Sequence, residues 1–304
     1  MKFLNAQGVF LNASENQEFW SILDAGPVSR DPSKLGSLIQ MHDAVERHVE
    51  KAMNALNRIG ISIPQQSITV VVDAVNASGS TYVPAMLDAL SCKSIPLHCD
   101  QSGVFPHLPE PLAEHLGGLM LAVKDNRADL GIAVDPDADR LVLIDERGEP
   151  IGEEKTIALC VKALLEYSNL DMHQASIALN LSTSIMSEII AVQAGWNIYR
   201  TPVGEINVVE AMKANGCIIG GEGSGGVILS ACHYGRDSLI GIALIIALMK
   251  HTQKTLSALA AELPVTTMMK GKIAWSGPSR GLFQRIERHF QDACIEVRHD
   301  DGIW

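Results

Sequence analysis

Short apolar runs alternate with amphipathic stretches along most of the chain, and turns rich in Gly, Ser, Asn and Asp separate them. Residues 68–72 (I-T-V-V-V) read as a strand and 76–79 (N-A-S-G) as a turn. Ser80 or Thr81 can cap a helix that runs to residue 90. A strand at 94–99, a helix at 112–123 and strands at 128–134 and 141–144 come next. The pattern then repeats: helix 153–167, strand 176–181, a Ser182-Thr183-Ser184 turn, a helix to residue 193 and a strand at 196–199. Residues 213–219 lead into a glycine-rich loop, and 238–250 read as a buried helix, apolar from 239 to 249. S-I-T-V-V-V-D-A-V-N-A-S and S-I-A-L-N-L-S-T-S align, which points to duplication. The expected fold is α/β: consecutive duplicated three-layer α/β/α domains with mixed sheets, over 41–150 and 151–264, with partial domains at both termini.

The flanks are different. Residues 1–40 open with two short strands joined by a turn at 5–8, and a polar stretch lies at 24–34. A helix over 38–56 carries Val45, Val49, Met53 and Leu56 at helical spacing. Residues 265–304 read as strand 272–275, helix 282–290 and strand 294–297. Neither flank holds enough chain for a core of its own. Residues 1–40 are therefore expected to be the end of one domain and 265–304 the start of another, so the chain reads as cut at both ends.

Composition narrows the function. Hydrophobic content of 47% with only 5% aromatics suits an aliphatic α/β protein. A net charge of -11 argues against nucleic acid or an anionic membrane as partner, but not against a phosphorylated small molecule held by local cations. The six cysteines show no C-x-x-C spacing and read as reduced packing residues, which suits the cytoplasm. No signal peptide is visible, and the longest apolar run, 239–249, is about half of what a bilayer span needs.

The candidate chemistry centres on Asp135-Pro136-Asp137-Ala138-Asp139-Arg140, set between two strands. Three carboxylates at spacing two repel one another and need positive charge among them; a hard divalent cation with oxygen ligands is the simplest source. A solvated acidic turn is the plainer reading. An EF-hand loop is set aside, because Arg140 stands where that loop needs Gly. The loop Gly220-Gly221-Glu222-Gly223-Ser224-Gly225-Gly226 precedes a strand, which disfavours a dinucleotide site. It is a hairpin turn, or a glycine scaffold on which Glu222 and Ser224 bond sugar hydroxyls. Thr201 to Asn207, with Gly204, reads as a turn; Asp237 reads as a helix N-cap, and Arg236 beside it can reach a phosphate. His98, His107, His173 and His233 lack partners at metal-ligand spacing and read as surface or packing residues.

With these loops in hand, the chain resembles the α-D-phosphohexomutase family of phosphoglucomutases, phosphomannomutases and phosphoglucosamine mutases. D-P-D-A-D-R resembles its metal loop, G-G-E-G-S-G-G its sugar loop and T-P-V-G-E-I-N-V the start of its substrate-recognition region. V-D-A-V-N-A-S-G-S, F-P-H-L-P-E-P and Y-G-R-D-S-L also match, and the loop forms are most similar to the archaeal-type phosphoglucosamine mutase branch. The resemblance implies a four-domain, Mg²⁺-dependent enzyme that moves phosphate between C6 and C1 of a hexose phosphate through a phosphoserine. It implies Asp135, Asp137 and Asp139 as Mg²⁺ ligands and Arg140 as a supporting residue facing the phosphoserine. It further implies that Glu222, Ser224, Gly204 and Arg236 bind substrate.

The family's T-A-S-H-N-P nucleophile motif and its R-P-S-N-T-E-P-like phosphate loop do not occur in the sequence. Ser14, in N-A-S-E-N-Q, is rejected as the nucleophile, because K-F-L-N at residues 2–5 already resembles the segment downstream of the motif. Relatives that end the sugar loop in G-H have His where Gly226 stands, which leaves the general acid/base unassigned. The expectation is a mutase by descent, with hexose phosphate as its substrate, whose chain binds Mg²⁺ weakly and does not by itself turn over sugar phosphates. The alternative is a non-catalytic sugar-phosphate-binding or regulatory module.

Overall fold

The computed structural model describes residues 2–27, 31, 33, 36–171, 175–268, 271 and 274–290. Two four-stranded sheets share one plan. In the first, β1 (Thr69–Asp73) lies between β2 (Lys93–Leu97) and β3 (Leu130–Val134), parallel to both, and β4 (Leu141–Ile144) closes the edge antiparallel to β3. In the second, β5 (Ser176–Asn180) lies between β6 (Asn197–Thr201) and β7 (Ile219–Glu222), and β8 (Gly226–Leu229) runs antiparallel to β7. These are the duplicated α/β/α units with mixed sheets that the repeated pattern predicts.

Period-two burial explains the layering. Val70, Val72, Leu130 and Ile132 of the first sheet join Ile177, Leu179, Val227 and Leu229 of the second in one continuous core. The helices α2 (Ala44–Arg58), α3 (Gly79–Ala89), α5 (Glu154–Tyr167), α6 (Met186–Gln193), α8 (Ser238–Thr252) and α9 (Leu256–Ala261) also contribute to it. Alternate residues face outward: Val71, Ala133 and Val142 pack under α4 (Gly117–Asn126), while Ala178 and Ile228 pack under α7 (Glu205–Asn215). The apolar helix α8 is buried from Ser238 to Lys250 and touches β4, α2 and α3 of the first unit as well as β8 and α5 of the second. No helix among the described residues is long and apolar enough to cross a membrane.

Several local expectations change. The helix expected at 38–56 starts only at Ala44; Leu38 and Ile39 before it are exposed, with no apolar partner to hold a first turn. The helix expected at 112–123 splits into a 3-10 turn, Ala113–His115, and α4. Near the N-terminus the two short strands reduce to a bridge between Leu4 and Phe10, with the Gly8 N–H donating to the Asn5 carbonyl. The segment N-A-S-E-N-Q opens a helix, α1 (Ala13–Asp24). Asn12 and Glu15 there form a reciprocal capping box, a helix-start signal carried by the sequence itself and masked by the likeness to a nucleophile motif. Val9 is buried against Val208, Met212 and Ile228, so this segment leans on the second unit. Toward the C-terminus the expected helix is present as α10 (Ser279–Phe290). Part of the strand expected at 272–275 and all of that at 294–297 lie outside the described residues, as does His173.

Candidate functional site

The two antiparallel hairpins β3–β4 and β7–β8 carry the two candidate loops, and the fold sets them side by side. The Leu141 N–H donates to the Gly225 carbonyl at 3.2 Å, a backbone bond from one unit to the other. The Ala138 carbonyl accepts from Ser238 Oγ at 2.7 Å, and the Pro136 carbonyl accepts from Ser78 Oγ at 2.7 Å. Asp135 shapes its own loop: its Oδ1 accepts from the Asp139 and Arg140 amides at 3.0 and 3.1 Å, and Ala138 takes a left-handed φ of 54°.

The chain supplies cations to this acid cluster. Lys2 Nζ donates to Asp137 and, at 2.6 Å, to Asp139 Oδ2. Arg236 Nη2 donates to Asp139 Oδ2 at 2.7 Å and its Nη1 to Glu222, while Arg236 Nε lies 3.0 Å from Glu205 Oε2 without hydrogen-bond alignment. Arg140 Nε donates to Asp135 Oδ2 at 2.6 Å, and its outer nitrogens take Glu110. Lys2, Glu110 and Glu205 lie in segments that resemble the family but were not singled out as site candidates from the sequence. Lys2 is separated from Asp137 by 135 positions, so only folding makes it a neighbour.

Charge remains unbalanced. Asp135, Asp137, Asp139, Glu205 and Glu222 face Lys2, Arg140 and Arg236, an excess of two negative charges before Glu110 at the rim. Burial, and then the charge of Asp139, push the Asp135 carboxyl above the usual carboxylate range, against the pull of Arg140. Burial likewise raises Glu205. For Asp137 burial also pushes upward, but the hydrogen bond and charge of Lys2 outweigh it and hold the group low. Oxygens of Asp135, Asp137 and Asp139 lie within 4.8 Å of one another, and the buried Asp139 Oδ1 has no hydrogen-bond partner. An all-oxygen set with an orphaned acceptor and surplus negative charge fits a hard divalent cation.

The glycine loop is a hairpin turn whose missing side chains make room. A Cβ on Gly225, at φ +92°, would stand 2.3 Å from the Leu141 carbonyl oxygen; one on Gly226 would stand 2.3 Å from Arg236 Cδ. A side chain at 226 is therefore incompatible with this path of Arg236. Glu222 is buried, with Oε1 accepting from Asn180 Nδ2 at 2.9 Å. Ser224 at the turn is half-buried. Gly204, at φ +120°, precedes α7 and brings Glu205 under Arg236, whose amide donates to Glu205 Oε1 at 3.0 Å.

The histidines correct the sequence reading, which gave them no partners. His98 and His107 both face Asp73, and His233 with His48 both face Asp237. Asp237 is the N-cap of α8 through Oδ1, as expected, while Oδ2 lies 2.9 Å from His233 Nε2 and 3.0 Å from His48 Nε2. Burial pushes Asp237 upward, but the two imidazoles outweigh it and hold the carboxyl well below its ordinary value; the same bond raises His48. His48, Ser78, Tyr82, Asp137, His233 and Arg236 line a cavity of about 440 Å³ beside the acidic loop. A larger open groove of about 970 Å³ runs along α2 past Arg47, Glu50, Lys51 and Arg58, and none of the acidic-loop carboxylates lines it.

Residues 46–148 match the family described as phosphoglucomutase/phosphomannomutase, alpha/beta/alpha domain II, and residues 153–266 match domain III of the same family. Over its whole length the chain is 30% identical to a probable phosphoglucosamine mutase of Methanosarcina barkeri, of which it covers 67%. It is 33% identical to a phosphoglucomutase/phosphomannomutase of Thermococcus kodakarensis, over 89% of this chain and 58% of that protein. A crystal structure of a phosphoglucomutase/phosphomannomutase family protein from Burkholderia thailandensis shares the fold, with a TM-score of 0.74 at 23% identity, over 97% of this chain and 61% of that one. The chain spans 66%, 58% and 66% of the length of three of the curated relatives it matches. It belongs to the phosphoglucomutase/phosphomannomutase family.

Proposed function

We propose that, as a member of this family, the chain forms the metal and sugar-binding half of a phosphohexose mutase that moves phosphate between C6 and C1 of a hexose phosphate. The observation that carries this is the convergence of the acidic loop and the glycine hairpin on one residue, Arg236, which bonds Asp139 from the first unit and Glu222 from the second. Asp135, Asp137 and Asp139 would hold Mg²⁺. Such an ion, when bound, neutralises the oxygens of a transferring phosphoryl group.

The chain's own residues do the positioning. Asn180 and Arg236 fix the Glu222 carboxylate, which with Ser224 offers acceptors to vicinal sugar hydroxyls. Arg236, held by Glu205 and Asp139, places positive charge between the sugar loop and the acids, where a phosphate would lie. Glu110 and Asp135 hold Arg140 at the rim. Lys2 shares Asp137 and Asp139 and must yield part of that contact to an ion. The T-A-S-H-N-P motif does not occur in the 304 residues, and the reading assigns the phosphoserine to no residue of this chain.

The test is calorimetric titration of the chelator-stripped chain with Mg²⁺, and then with hexose 1- and 6-phosphates. Mg²⁺ uptake that Asp137→Asn abolishes, with sugar-phosphate binding that Glu222→Gln weakens, supports the reading. Mg²⁺ uptake indifferent to Asp137→Asn sinks the metal assignment. Robust turnover by the purified chain alone contradicts a reading that assigns the phosphoserine to none of its residues.

A further inference from the structure

A second set of metal-ligand side chains lies at the same edge of the first sheet, apart from the acidic loop. Asp73 ends β1, His98 comes just after β2, and parallel pairing sets Asp73 opposite Leu97. His107 comes from the loop beyond. His98 Nδ1 and His107 Nε2 each lie 3.0 Å from the same oxygen, Asp73 Oδ2, and the donor atoms of all three residues lie within 4.8 Å of one another. Asp73 is 1% exposed, and its other oxygen accepts from the Val75 amide at 3.1 Å.

The protons decide what this arrangement means. His107 Nδ1 is 2.8 Å from the Leu108 carbonyl oxygen, which can only accept, so Nδ1 carries a hydrogen. In the neutral ring Nε2 is then a bare lone pair, and it faces a carboxylate oxygen at 3.0 Å. Two acceptors at that distance repel unless a proton, on the ring or on the carboxyl, or a metal ion stands between them. Ligand atoms held about 2.0–2.1 Å from one ion stand roughly 3–3.5 Å apart; the two N···O distances here are 3.0 Å, and all three donor atoms fall within 4.8 Å of one another. A backbone carbonyl on the far ring nitrogen is also how ligating imidazoles are fixed in tautomer and orientation. The loops are tightly specified: Val75, Asn76, His98 and Gln101 all take left-handed φ, and the Asn76 amide donates to the His98 carbonyl at 2.7 Å.

We infer that Asp73, His98 and His107 form a second divalent-metal site, a two-histidine, one-carboxylate set suited to a first-row transition ion such as Zn²⁺. The nitrogen donors separate it from the all-oxygen acidic loop, which favours Mg²⁺. The ion staples the loop after β2 to the end of β1. Glu110 of that loop holds Arg140, which holds Asp135, so the staple also steadies the neighbouring acidic loop. The inference does not depend on the mutase reading.

The experiment uses the whole chain, stripped with chelator and titrated with Co²⁺ as a visible probe for a Zn²⁺ site. The expected result is a d–d absorption band that saturates at one equivalent and is displaced by Zn²⁺. It persists in Asp137→Asn/Asp139→Asn and in His48→Gln, which silence the two other clusters. His98→Ala and His107→Ala each lower the Co²⁺ affinity at least about 100-fold, the upper end of the loss seen for outer-shell partners. Because those variants can lose the loop fold, the unaltered chain is also monitored by NMR, where Co²⁺ must broaden the ring signals of His98 and His107 first. Absence of a band, or a band that survives both histidine changes, overturns the inference. So does a doubly protonated His107 ring at about pH 8 with no Co²⁺ uptake.

Discussion

The two sheets have one strand order, yet their final hairpins are chemical opposites. The β3–β4 loop packs three carboxylates into six residues; the β7–β8 loop puts five glycines around Glu222 and Ser224. The first must be surrounded by positive charge to exist. The second must be stripped of side chains so that the first can approach, through the bond from Leu141 to Gly225. A duplicated scaffold thus brings two loops to one place, and divergence in side-chain volume and charge makes them complementary. Arg236 is the hinge of that complementarity, since it answers the charge of one loop and passes through the space left by the other.

The comparison can be broken most severely at that residue. Arg236→Met leaves Asp139, Glu205 and Glu222 without their shared partner, and Arg236 is only 14% exposed. The expected loss is about 3–5 kcal/mol in urea denaturation, as for removal of one member of a buried ion pair; a loss under about 1 kcal/mol would show that solvent already screens the cluster. Next come the two loops themselves. Gly225→Ala combines a positive φ with a clash against the Leu141 carbonyl, and should cost about 1–3 kcal/mol. The counterpart exchange, Ala138→Gly, relieves a left-handed alanine and should stay within about 1 kcal/mol of neutral. Equal effects at the two positions would remove the asymmetry between the loops.

Smaller effects sharpen the picture. Asp137 is 48% exposed, so Asp137→Asn should move stability by less than about 1 kcal/mol while abolishing Mg²⁺ heat in calorimetry. The smallest effect is a pH dependence at the boundary of the two units. His48, on α2, is raised above its ordinary value by Asp237, at the start of α8. Its stabilisation is complete below the unfolded histidine value of about 6.5 and is lost as pH rises through the higher folded value. Asp237 is shifted the opposite way, so its contribution is complete above about pH 3.8 and fades only as pH falls through its lower folded value. The melting temperature should decline above about pH 6.5, and His48→Gln should flatten that slope. An identical slope in both proteins would remove His48 as its source.

Much of this was legible without coordinates. Apolar runs gave 141–144 outright and 176–180 to within a residue, because short apolar runs bounded by turns leave few alternatives. The acidic hexapeptide announced itself by spacing. His98, His107 and His48 did not, because they sit 25, 34 and 189 positions from the carboxylates they face, and spacing arguments detect only ligands close in sequence; His233 lies four positions from Asp237, a helical spacing that was readable and was passed over. The helix α1 was missed although its capping box is readable, since Ser14 lies inside a likeness to another motif.

Local sequence by itself determined which segments became strands and helices, that the units repeat, and that one loop would gather like charges needing a counter-ion. Those properties depend on burial patterns and on charges a few residues apart. Only the tertiary structure decided which cations answer the acids, why Gly225 and Gly226 must be bare, and that Asp73 and Asp237 each serve two imidazoles. These are contacts between distant parts of the chain, set by how two sheets share one core around α8.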